Sequence, residues 1–192
     1  HLWDRQRHWA QVTWDDDKRA WVDIDGRRGV AYDGDRRLSG DDARGALDDA
    51  HAKWTNDAFW LNPVMKAFDP GTVRARVPED DEGRPGLLVR YESGGRTPGD
   101  AYLWRLDPAG TGRPAAWQMW TSNIPIGGVT ASWEAWVELD TGALISTRHE
   151  TSLFTLELSE VRGAETLEQL VGEADPFAPL VACRDAGDCD RF

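Results

Sequence analysis

Residues 8–38, HWAQVTWDDDKRAWVDIDGRRGVAYDGDRRL, decide the fold class. Three short stretches rich in Trp, Val and Ala alternate with clusters of Asp and Gly. Apolar residues spaced by two, bounded by turn formers, specify antiparallel strands joined by hairpins. His8 to Trp14 is the first strand, and Asp15-Asp16-Asp17-Lys18 is a polar turn. Arg19 to Ile24 and Arg28 to Tyr32 follow, separated by Asp25-Gly26, a two-residue hairpin signal that Asp33-Gly34 repeats. Centring the first turn on Asp16-Asp17 pairs Val12 with Trp21. Centring the second on Asp25-Gly26 pairs Trp21 with Val30. The expected result is one apolar face carrying Val12, Trp21 and Val30 side by side.

Outward from this meander, residues 41–60 are the best helical candidate. Asp41 and Asp42 suit a helix start, and Ala43, Ala46, Leu47, Ala50 and Trp54 fall at helical spacing. Asn62-Pro63 breaks the run. Val64 to Phe68 is expected to form a short helical turn, stopped by Asp69-Pro70-Gly71. Strands then resume at Val73–Val77, Leu87–Glu92, Ala101–Asp107, Ala116–Ser122, Ser132–Leu139, Leu144–Thr151 and Phe154–Val161. Their separators are turn-rich, among them Asp80-Asp81-Glu82-Gly83, Ser93-Gly94-Gly95, Gly127-Gly128 and Asp140-Thr141-Gly142. Regular strands with short connections make an antiparallel meander that curls or closes. A short helix is expected over residues 164–171. The domain reading is one β-rich domain over residues 1–171 and a polar tail, extended or disordered, over residues 172–192.

Composition narrows the function classes. The chain carries 34 Asp and Glu against 22 Lys and Arg, a net charge of −12. That argues against nucleic acid and anionic membrane as electrostatic partners. No apolar run approaches the roughly 20 residues of a membrane span. The chain starts at His1 without Met, as expected of a processed or trimmed form. A removed signal peptide or lipid-anchor segment fits that reading. Cys183 and Cys189, the only two cysteines, lie close together without a nearby His. They are expected to form a small disulfide loop, and therefore to belong to an oxidising compartment, periplasmic or extracellular.

Chemistry-bearing motifs are absent. Among His1, His8, His51 and His149, no two have the local spacing that starts a metal site. There is no Gly-x-Ser-x-Gly elbow, phosphate-binding loop or dinucleotide fingerprint. Asp23-Ile24-Asp25-Gly26 and Asp185-Ala186-Gly187-Asp188-Cys189-Asp190 faintly resemble calcium loops but lack the remaining ligands. No catalytic residue, metal ligand or cofactor is therefore expected. The aromatic placement says more, for there are 11 Trp against 5 Phe. On Ala116–Ser122, Trp117 and Met119 share a face and Trp120 points the other way. On Ser132–Leu139, Trp133, Ala135, Val137 and Leu139 share a face and Trp136 lies opposite. Large aromatics on both faces mean that the second face is also partly covered, by another segment or by a ligand in an apolar hollow.

Three further stretches carry a family resemblance: Asn56-Asp57-Ala58-Phe59-Trp60-Leu61-Asn62-Pro63, then Asp69-Pro70-Gly71, then Gly95-Arg96-Thr97-Pro98-Gly99-Asp100-Ala101-Tyr102-Leu103-Trp104. Their order resembles an uncharacterised group of bacterial envelope proteins related in fold to the lipoprotein carriers LolA and LolB. The similarity spans about Asp41 to Val161; the carriers' helix before the first strand is not recognisable here, as trimming would produce. What the resemblance implies is an α+β, mostly antiparallel fold: a curved meander sheet, a half-barrel, with one or two helices packed in its concave face. It also implies a hollow for acyl chains and no catalytic residues. Motif position and strand face nominate Trp60, Trp104, Trp120 and Trp136 as its lining. The leading expectation is thus a non-enzymatic envelope protein that binds a lipid or other amphiphile. A structural or interaction module with a filled core, and a hydrolase assembled from scattered residues, remain open beside it.

Overall fold

A computed structural model describes the whole chain except Gly94, Gly95, Asn123 and Pro125, so the turn expected at Ser93-Gly94-Gly95 lies largely outside the described residues. The fold is α+β and mostly antiparallel, and its strands form three open sheets. The chain divides into two compact units, residues 1–58 with 164–192, and residues 59–163.

The first unit is built on a sheet of Leu2–Asp4 (β1), Trp9–Trp14 (β2), Lys18–Asp23 (β3) and Arg28–Asp33 (β4). Arg36–Arg37 (β5) pairs with β4, and so does a strand from the far end of the chain described below. The helix Gly40–Leu61 (α1) covers one face. Its Ala43, Leu47, Ala50, Trp54 and Ala58 pack on Val12, Ala20, Val22 and Ala31. Alanines at these positions let the helix lie close to the sheet, and Gly29 of β4 shows how close. A Cβ there would stand 2.8 Å from Leu47 Cδ2 and 2.1 Å from the Trp21 carbonyl oxygen.

The opposite face is apolar too, and the C-terminal segment covers it. Beyond a short helix Leu167–Val171 (α2), the helix Ala178–Ala186 (α3) seats Leu180 and Cys183, with the preceding Phe177, against Trp9, Trp21 and Val30. The Trp21 indole N–H donates to the Pro176 carbonyl at 2.7 Å, so burial leaves that polar group satisfied. Arg7 stacks over Trp9 and Phe177 and donates to Asp175 at 2.9 Å. After the Cys183–Cys189 disulfide, Asp190–Arg191 pairs antiparallel with β4. The expected polar tail is therefore a folded part of the first unit, because its apolar residues complete a face that water would otherwise meet.

Two hairpin expectations are corrected here. Strand β2 pairs with β3 so that Val12 opposes Ala20 and Gln11 opposes Trp21. A three-residue turn, Asp15 to Asp17, replaces the expected two-residue one, with Asp15 and Asp16 at φ 48° and 58°. That one-residue slip sends Val12 to the α1 face, while Trp21 and Val30 stay paired on the α3 face. In the next hairpin the left-handed residue is Arg27, at φ 46°, and not Gly26. Gly26 is small for another reason. Its N–H donates to Asp23 Oδ1 at 3.0 Å, and a Cβ would stand 2.5 Å from Asp23 Oδ2.

The second unit opens with Phe59 to Leu61 at the end of α1 and a 3-10 turn at Pro63–Lys66. Thr72–Val77 (β6), Gly86–Tyr91 (β7), Ala101–Leu106 (β8), Pro114–Trp120 (β9) and Val129–Ser132 (β10) form an antiparallel meander sheet. Glu134–Glu138 (β11), Leu144–Glu150 (β12) and Thr155–Glu157 (β13) form another, joined to β10 through an Ala131–Thr151 bridge. The expected single strand over Ser132–Leu139 is thus two, β10 and β11, parted at Trp133. Ala135 has φ 50°, and a left-handed residue breaks the two-residue alternation. Ala135 and Val137 are consequently exposed, while Trp136 packs beside the buried Trp133 instead of across the sheet from it. The Ser146 and Thr147 hydroxyls donate to the Glu134 and Ala135 carbonyls and support the irregularity.

Two glycines test the first unit. Gly29→Ala should lower stability by about 1–3 kcal/mol through overpacking. Gly45→Ala, at an exposed helical site with nothing within 4 Å of the new Cβ, should raise it by about 0.5–1 kcal/mol. Urea midpoints measure both, and a destabilising Gly45→Ala would contradict the helix placement.

Candidate ligand site in the aromatic cluster

One face of the β6–β10 sheet concentrates the aromatic side chains of the second unit. Alternation along each strand brings Val89 and Tyr91 of β7, Tyr102 and Trp104 of β8, and Trp117 and Met119 of β9 to the same side. Phe59 and Trp60 pack on them because Asn62-Pro63 ends α1 there. Trp117, only 1% exposed, is the hub. Its ring centroid lies 5.2 Å from Phe59, 4.8 Å from Trp60 and 5.1 Å from both Tyr102 and Trp133. Such offset and edge-on contacts add to the area buried.

The polar atoms within this cluster are less well provided for. The Trp104, Trp117 and Trp133 indole N–H groups, the Tyr91 hydroxyl and His149 Nε2 are buried and have no hydrogen-bond partner among the described residues. Natively buried polar groups are nearly always paired, so this concentration calls for a physical account. Burial raises the pKa of both Tyr91 and Tyr102, which keeps them protonated.

His149 is the most informative member. It is fully buried on β12, with Trp133 4.4 Å and Trp60 5.2 Å away between ring centroids. Its Nδ1 lies 3.1 Å from the Ser132 carbonyl, which can only accept, so Nδ1 carries the proton. Burial pushes the ring's pKa down, against smaller opposing effects of the Ser132 carbonyl and Glu134. The ring is therefore neutral, and Nε2 presents a lone pair.

Of the four tryptophans expected to line a hollow, three come to this cluster. Trp104 is a buried member, and Trp60 and Trp136 are half-buried against it. Trp120 does not join them. It is 40% exposed on the other face of β9, beside Gly127. Phe59, Tyr102, Trp117, Trp133 and His149 belong to the site but were not nominated. The signal for His149 was its place between the charged Arg148 and Glu150, which on a strand turns it inward.

The two calcium-like segments are engaged by the protein's own side chains. Asp23 of the calcium-like segment accepts from Arg28 at 3.0 Å, and Asp25 contacts His8 at 2.8 Å. Asp188 is paired with Arg37. Among the described residues, no group of three or more His, Cys, Asp or Glu could hold a metal ion, and no helix is long and apolar enough to cross a membrane. No family model, curated protein or solved structure matches the chain.

Two measurements test this geometry. Trp117→Ala should cost about 3–5 kcal/mol in urea unfolding, and Trp120→Ala about 1 kcal/mol or less. Equal costs would mean that the two faces of β9 are wrongly assigned. For His149 the folded pKa lies below the unfolded value of 6.5, so the unfolded chain takes up a proton first. Stability from this group is complete above that pH and falls as pH drops through it toward the folded value. Urea midpoints between about pH 5 and about pH 8 should show that fall, and His149→Phe should lessen it.

Proposed function

We propose that this is a non-enzymatic cell-envelope protein whose second unit binds a lipid or another amphiphile through its aromatic cluster. The observation that carries the proposal is the set of buried polar atoms without partners amid aromatic rings. Each costs about 1–3 kcal/mol while unsatisfied, a cost that a ligand with an apolar body and a few polar groups can offset. Exposed apolar side chains on the same unit, Phe68, Ile126, Leu153 and Phe154 among them, support contact with apolar material. Phe154 lies 6.4 Å from Trp60 between ring centroids, so exposed and half-buried rings adjoin. The Cys183–Cys189 disulfide supports an oxidising compartment. The resemblance of Asn56–Pro63 and Thr97–Trp104 to envelope proteins related to LolA and LolB points the same way.

One observation favours a second reading, a structural module with a filled core. Trp117 is enclosed by Phe59, Trp60, Tyr102 and Trp133, all supplied by the protein itself. Fluorescence titration with N-phenyl-1-naphthylamine, an uncharged dye that brightens in apolar surroundings, separates the two. The ligand-binding reading expects saturable binding that weakens roughly fivefold or more in Trp60→Ala or Trp136→Ala and is unchanged in Trp120→Ala. Absence of binding to the folded wild type would leave the filled module as the better account.

A further inference from the structure

We infer that the polar group this site selects is a hydrogen-bond donor, a hydroxyl above all, and that His149 with Trp133 reads it. The inference rests on the amphiphile-binding proposal and specifies the ligand's headgroup chemistry. Nδ1 of His149 is committed as a donor to the Ser132 carbonyl, which leaves Nε2 as an acceptor without a partner among the described residues. The ring of Trp133, 4.4 Å away between centroids, carries an N–H that also lacks one among those residues. An acceptor and a donor on adjoining buried rings match a hydroxyl, which gives one hydrogen and accepts another. An ester carbonyl can accept from Trp133 but offers nothing to Nε2. A carboxylate is worse, since its charge loses water and meets a lone pair.

The charges around His149 do not reverse this preference. Trp60 and Trp133 bring none, and Leu156, its cross-strand neighbour on β13, is apolar. The charged side chain whose field reaches the ring is Glu134 on β11, itself anionic. Arg148, the nearest cation in sequence, is engaged by Glu150, Glu157 and Glu134. A carboxylate could enter favourably only by protonating His149, which burial opposes.

Displacement of N-phenyl-1-naphthylamine by three ligands of equal chain length tests this at about pH 8, where the acid is ionised and free His is neutral. Dodecan-1-ol should displace the dye at a concentration roughly tenfold or more below that of methyl dodecanoate, and further below dodecanoate. In His149→Phe, which keeps a ring but removes the acceptor, the alcohol should lose its advantage over the ester. An ester as effective as the alcohol, or an equally effective carboxylate, would overturn the inference while leaving amphiphile binding intact. If the dye does not bind and none of the three ligands binds by calorimetry, the underlying proposal fails instead. The wild-type ranking is decisive by itself, so a His149→Phe protein that does not fold leaves the test standing.

Discussion

An antiparallel sheet with large apolar side chains on both faces must be covered twice, and the first unit is organised around that constraint. Strand β3 alone sends Ala20 and Val22 to one side and Trp21 to the other. A single helix can bury one of these faces. The second cover comes from the far end of the chain, where Phe177 and Leu180 become fully buried. Burial of Trp9, Trp21 and Phe177 removes apolar area from water and offsets entropy lost in ordering the segment. The disulfide and the pairing of Asp190–Arg191 with β4 then hold the segment in place.

The same constraint explains what could and could not be read from the sequence. Element existence was legible, because Asp and Gly clusters punctuate the strands and Asn62-Pro63 ends the long helix. Register was not. A one-residue slip normally exposes apolar side chains and so declares itself wrong. Here Val12 is buried on whichever face it lies, since both faces are covered, and the pattern cannot choose between a two-residue and a three-residue turn at Asp15–Asp17. The C-terminal segment is hard to read for a related reason. Asp185, Asp188 and Asp190 dominate its composition, whereas its fold is decided by a few apolar residues that find a partner only in three dimensions.

The candidate site was legible where strand alternation holds and obscure where it fails. Trp117 and Trp120 lie on opposite faces of β9 as their spacing requires. Trp136 departs because Ala135 adopts a left-handed conformation, which no side-chain pattern announces. Trp60 and Trp104 came from motif position and do reach the cluster, yet neither is its hub. The inward turn of His149 is legible between Arg148 and Glu150, but that it meets Trp133 and Trp60, and that Trp117 is the hub, emerges only when several strands are brought together.

Enclosure of rings and neglect of polar atoms pull the site's chemistry in different directions. A core selected for stability alone would place Phe or Leu where Trp104, Trp117 and Trp133 stand, because an indole N–H without a partner loses its hydration and gains nothing. Trp21 in the first unit shows the ordinary solution, donating to the Pro176 carbonyl. The chain does not apply it to every indole, for the Trp3 N–H of the same unit is buried without a partner among the described residues. It leaves three unsatisfied in the second unit, with half-buried Trp60 and exposed Phe154 nearby. Binding of a partly polar molecule there would recover the cost at the moment of contact, so affinity and stability would be linked through the same few atoms.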